Sequence, residues 1–89
     1  MQVGFIFLEL KKKDDSTVGE THADGTIHLY LPNLVDKNFS IERFKKRLIR
    51  YLAHEIVHHF VIKWKIRCKE DVEERVAERF ARFVARCVR

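Results

Sequence analysis

The sequence predicts an α+β fold, a small three-stranded sheet packed on two helices, and three observations predict it. Apolar and polar residues alternate through Val3 to Leu10, and again on both sides of Asp24-Gly25, which is the period of a strand. From Ile41 to about residue 64 the apolar positions recur at helical spacing. A second helical stretch runs from Asp71 to about residue 88. Eighty-nine residues make one domain, 1–89, with no room for a second core.

Residues 3 to 10 read as a largely buried strand, and Lys11 to Ser16 as a charged turn. Asp24-Gly25 lies between two alternating runs, Thr17 to Ala23 and Thr26 to Leu31. That pair predicts a type I′ hairpin, whose two central residues both need positive φ. Pairing across it puts Ile27, Leu29 and Leu31 on one face and His28 and Tyr30 on the other. Pro32, which has no amide to donate, ends the second strand. Residues 33 to 39 connect to Ser40, an N-cap, with Glu42 in the first helical turn. No Gly or Pro marks the end of this helix, so Lys65 to Glu70 must contain the turn. Asp71 followed by Glu74 predicts a capping box for the second helix, and Val72, Val76, Phe80, Phe83 and Val84 its core stripe.

Composition narrows the function. Apolar content is 46%, but no run approaches the ~20 residues of a membrane span, and no membrane partner is expected. The apolar start lacks a basic n-region and a small-residue cleavage site, so the expectation is a cytoplasmic protein. Cys68 and Cys87 form no Cys-x-x-Cys pair, hence neither a disulfide framework nor a zinc knuckle. The net charge of +5 gathers in Arg43 to Arg50 and in the row Arg75, Arg79, Arg82, Arg86, Arg89. That row is the solvated side of an amphipathic helix and can meet acidic partners. Without an aromatic platform or a reader motif, no nucleic-acid partner is expected.

The chemistry lies in the middle of the first helix, where His54, Glu55 and His58 form His-Glu-x-x-His. Four residues turn a helix by about 400°, so the two imidazoles stand roughly 40° apart on one face and can share an ion. Glu55 lies about 100° round from His54, beside such an ion. Two imidazoles and one more protein ligand leave a zinc ion's fourth position for water, whose proton a neighbouring carboxylate can take. The motif stands in a helix that is apolar nearly all round, where two His and a Glu are costly unless something satisfies them. His59 reads as a packing or surface residue, and Tyr51, one turn before His54, as packing or cleft lining.

The third ligand decides the kind of site. No His follows His59 and no Cys precedes His54, which leaves a downstream carboxylate or Cys68. The helical wheel keeps both Glu73 and Glu74 open. Small Ala81 and Ala85 beside Glu74 would let two helices approach closely, as a shared metal requires.

The run Glu74-Arg75-Val76-Ala77-Glu78-Arg79-Phe80-Ala81 resembles the Glu-x-x-Ala-(Asp/Asn)-x-x-Ala "glutamate helix" of gluzincin metallopeptidases. With Ala53 to His58 and the strand Thr26 to Leu31, residues 18 to 85 resemble the minigluzincins. These are soluble minimal gluzincins, similar in fold to catalytic domains of HtpX-type membrane peptidases. The resemblance implies a zinc-dependent peptidase in which His54, His58 and Glu74 hold Zn²⁺ and Glu55 is the general base. It implies Glu78, where Asp or Asn is usual, as the support behind the ligands. It also implies that Thr26 to Leu31 is an edge strand, with Ile27, His28, Leu29 and Tyr30 binding an extended peptide or protein substrate by β-addition. A latent form is implied as well, with a C-terminal segment, here Val84 to Arg89, blocking the cleft or exchanging between two molecules in a homodimer through the C-terminal helix; Cys87, a helix-stripe residue, reads as core packing ahead of a thiolate ligand. The competing expectation is a catalytically inert zinc-stabilised structural or regulatory domain.

Overall fold

A computed structural model describes residues 1–14, 16–35 and 40–88. The class is α+β, but the sheet has four strands rather than three: β1 Gln2–Val3, β2 Ile6–Glu9, β3 Gly19–Thr21 and β4 Ile27–Tyr30. They lie in the order β1-β2-β4-β3, with β2 parallel to β4 and the other two pairs antiparallel. A 3₁₀ turn at Leu31–Leu34 follows, then two helices, α1 Ile41–Lys63 and α2 Glu70–Cys87.

The extra strand comes from Gly4. At φ 58° it breaks the run expected as one strand into a tight hairpin, pairing Val3 with Ile6. Positive φ at the first turn position is where glycine carries no Cβ penalty. The run is also far less buried than expected, with Val3, Phe5 and Leu10 at the surface. The second hairpin is present, but its turn differs from type I′. Gly25 N–H donates to the His22 carbonyl and His22 N–H to the Thr26 carbonyl, both at 2.8 Å, so three residues form the loop. Only Gly25 takes positive φ there. The Asp24 carboxylate instead accepts from the Thr26 amide and hydroxyl, which favours this wider turn.

Ile27, Leu29 and Leu34 are the fully buried large side chains, beneath α1. His28 and Tyr30 take the other face, as the alternation predicts. Ser40 caps α1, its hydroxyl accepting from the Arg43 amide at 3.1 Å. Residues 36–39 of the connector lie outside the described residues, as does Asp15 of the first turn. α1 closes in a Schellman motif: Ile66 N–H reaches the Val61 carbonyl (3.0 Å) and Lys65 N–H the Ile62 carbonyl (3.3 Å). The left-handed position belongs to Lys65 at φ 52°, so the stop carries no glycine signature.

α2 departs from expectation twice. It starts at Glu70 with Lys69 at the cap position, so Asp71 sits inside the first turn and no capping box forms. Glu70, Asp71 and Glu73 stabilise that end through the helix dipole instead. Nor is the bulky stripe its core. Among the described residues of α2 only Ala77 and Ala81 are buried, while Val72, Val76, Phe80 and Phe83 are exposed. Two alanines let α2 approach α1 more closely than a Phe/Val stripe would, and that approach carries its glutamates to the histidines.

Candidate metal centre

Because α1 is regular through its middle, His54 and His58 stand one turn apart with ring centroids 5.0 Å from each other. α2 lays Glu74 across both. Its Oε2 is 3.2 Å from His54 Nε2 and its Oε1 is 3.0 Å from His58 Nε2. One ligand atom from each of the three residues falls within 4.8 Å of the others. Ligands about 2.0–2.2 Å from a tetrahedral zinc lie roughly 3.4 Å apart, close to the spacing of Glu74 from each ring, and two imidazoles with a carboxylate are donors zinc accepts. The residues fit the ion.

The other nitrogens are backed by two more glutamates from α2. His58 Nδ1 pairs with Glu73 Oε2, and His54 Nδ1 lies 3.3 Å from Glu78 Oε2. A carboxylate behind each ring fixes Nδ1 as the protonated nitrogen and leaves Nε2 for an ion. Glu78 is itself held by Arg50 (2.5 Å) and Arg82 (3.2 Å), and the Arg50 guanidinium keeps its carboxyl below the usual range. Glu74 faces both Nε2 atoms, whereas Glu73 stands behind one ring. Cys68 is exposed, its sulfur 3.8 Å from Glu73, and does not line the cleft.

Glu55 is 7% exposed, and burial pushes its carboxyl above the usual range. Thr21 Oγ1 lies 3.1 Å from both its Oε1 and its main-chain carbonyl. A Cβ on Gly19 would come 3.3 Å from Glu55 Cγ and 2.9 Å from Leu29, so β3 sits this close to α1 only with glycine there. The cleft, of about 380 Å³, is lined by Gly19, Glu20 and Thr21 on one side and His54, Glu55, His58, Glu73 and Glu74 among others opposite. In a chain of net charge +5 this concentration of carboxylates is a local field suited to a cation.

The residues expected to bind substrate are not at this cleft. β4 is hydrogen-bonded on both sides, by β2 and β3, so it has no edge to offer. Ile27 and Leu29 are buried and His28 and Tyr30 point to the far face of the sheet. There His28 stacks on Phe7 and His22 and meets Glu9, and Tyr30 donates to Glu20. The edge beside the histidines is β3. Gly19 and Thr21 were missed as site residues, although hairpin alternation, extended back from Ile27 and Leu29, puts both on the helix-facing side.

Three further expectations are settled by position. His59 is a buried packing residue, stacked on Phe5 at 3.9 Å, its Nδ1–H donating to the Gly25 carbonyl at 2.5 Å. Tyr51 lines a neighbouring cavity that shares His54 and Glu55 with the cleft. Among the described residues, the C-terminal turns do not line the cleft: Val88 lines a separate cavity with Ile41 and Lys45, and Cys87 is exposed about 20 Å along α2 from Glu74. Arg89 lies outside the described residues.

Comparison with protein-family models, with curated proteins and with solved structures gives no match to this chain.

Proposed function

We propose that the chain is a zinc-dependent peptide hydrolase of the minimal gluzincin kind. One observation carries the reading: two imidazole Nε2 atoms and the Glu74 carboxylate converge within 4.8 Å beside a glutamate buried in the same cleft. His54, His58 and Glu74 would hold the ion. When bound, zinc lowers the pKa of a water to about 7 and polarises a peptide carbonyl. Glu55 would take a proton from the attacking water as its oxygen bonds to the peptide carbon, and would give that proton to the amine as the C–N bond breaks. Thr21 keeps Glu55 aimed.

The substrate lies along β3 rather than β4. Val18, Glu20 and His22 turn their main chain towards β4, so alternation leaves the amides and carbonyls of Gly19 and Thr21 on the open side. An extended peptide pairing there runs over the three metal-facing residues. The acidic lining favours peptides with Lys or Arg near the cut bond and disfavours acidic ones.

The test is zinc content by elemental analysis together with cleavage of a fluorogenic peptide mixture by wild type and Glu55→Gln. About one zinc per chain in both proteins, with cleavage only in the wild type, is the expected result. Zinc in both with cleavage in neither would leave an inert zinc-stabilised domain. Absence of zinc after incubation with the ion would remove the reading altogether.

A further inference from the structure

The stripe Val72, Val76, Phe80 and Phe83 reaches the surface and does not end at α2. Phe60 and Trp64 of α1, stacked at 4.8 Å, continue it across the helix pair, and Val57 and Val61 floor the groove between them. Trp64 is 69% exposed and Phe83 63%. Scaled by the area of such side chains, the six exposed residues present roughly 600 Å², the upper end of what a typical monomer shows. This groove shares only Glu73 with the metal cleft, so an occupant would leave the cleft open.

The charges around the patch choose its occupant. In the connector, Ile66 and Cys68 line the groove while Lys65, Arg67 and Lys69 alternate with them at the surface. Along α2, exposed Arg75, Arg79 and Arg82 lie on the flank of the stripe. Two of these arginines also meet acids of their own helix, Arg75 with Asp71 and Arg82 with Glu78. A second copy packed antiparallel on α2 about a two-fold axis would set this arginine row against itself, which opposes self-association. An aromatic and aliphatic face flanked by cations instead matches the boundary between anionic headgroups and acyl chains.

We propose that this two-helix face docks on the surface of an anionic phospholipid bilayer, lying on it without crossing it. No helix among the described residues is long and apolar enough to cross. The expectation of no membrane partner rested on the lack of a span. The inference does not depend on the metal reading.

Trp64, the one tryptophan of the chain, reports the event directly. The experiment adds vesicles of equal parts phosphatidylcholine and phosphatidylglycerol, or of phosphatidylcholine alone, to the full chain. Emission and co-sedimentation are then followed. The expected result is a blue shift and sedimentation with the anionic vesicles only, both weakened as salt cuts the Debye length from about 10 to about 3 Å. Arg79→Ala should weaken binding about fivefold. Phe80→Ser with Phe83→Ser, with unchanged circular dichroism, should abolish it. No binding to anionic vesicles, or full binding by the double variant, overturns the proposal. So does a lipid-free blue shift that grows with protein concentration alongside a dimer in sedimentation velocity, or a shift elicited only by an acidic amphipathic peptide.

Discussion

The hydroxyl of Thr21 stands 3.1 Å from Oε1 of Glu55 and 3.1 Å from its main-chain carbonyl, joining the edge of the sheet to the middle of α1. One proton is thus shared between a main-chain and a side-chain acceptor of a residue that has given up most of its water. Thr21→Val keeps the shape and removes the donor. It should leave zinc content unchanged, destabilise the fold by about 1 kcal/mol and lower kcat about fivefold, while Thr21→Ser restores both. Unchanged kcat would reduce Thr21 to a structural tie.

Glu73 and Glu74 are sequence neighbours with different positions. Glu74 faces both Nε2 atoms, whereas Glu73 meets His58 from behind at Nδ1. Glu74→Ala should therefore weaken zinc binding at least about hundredfold, and Glu73→Ala by about 10- to 100-fold through loss of ring orientation. Competition with a chromogenic chelator measures both. A larger loss in Glu73→Ala than in Glu74→Ala would exchange the two assignments.

What the chain discloses locally, it discloses well. His54 and His58 follow from a four-residue spacing inside a helix capped by Ser40, a geometry that tertiary contacts barely alter. The face that α2 turns to α1 is a tertiary choice. A core-stripe argument favours Phe80 and Phe83, yet Ala77 and Ala81 are buried, since only small residues permit the approach that the glutamates need. The edge strand is likewise a long-range matter. Nothing near Asp24-Gly25 says that Ile6–Glu9 will pair in parallel with Ile27–Tyr30 and leave β3 open. The end of α1 falls where the loss of helical spacing puts it, near residue 64, although no glycine marks it because a lysine holds the position usually given to glycine.

That lysine makes a stability prediction. A non-glycine residue at φ 52° carries a steric cost on the order of 1 kcal/mol, partly offset by the freedom a glycine would have in the unfolded chain. Lys65 is exposed and its side chain is not needed for the two Schellman hydrogen bonds. Lys65→Gly should stabilise the protein by up to about 0.5 kcal/mol and raise Tm by about 2–4 degrees in a calorimetric scan. A lower Tm would mean that the lysine makes contacts worth more than the strain.

Acid stability should turn on Glu20. Lys13, then His22 at 2.9 Å and the Tyr30 hydroxyl at 2.7 Å, hold its carboxyl down to about 2, against a smaller opposing effect of burial. In the unfolded chain the same group titrates near 4.3. Between those values the unfolded state binds more protons, so the contribution is complete above about pH 4.5 and is lost as pH falls towards 2. The full shift corresponds to about 3 kcal/mol, but the Lys13 and His22 side chains are 47% and 45% exposed and solvent screens them. About 1 kcal/mol is the realistic share. Urea unfolding at pH 6 and pH 2.5 should then show wild type about 1 kcal/mol more stable than Glu20→Gln at the higher pH, with the gap nearly closed at the lower. The absence of a gap at pH 6 would mean that Glu20 acts through the Tyr30 hydrogen bond alone, since the amide oxygen of the variant accepts that bond as well.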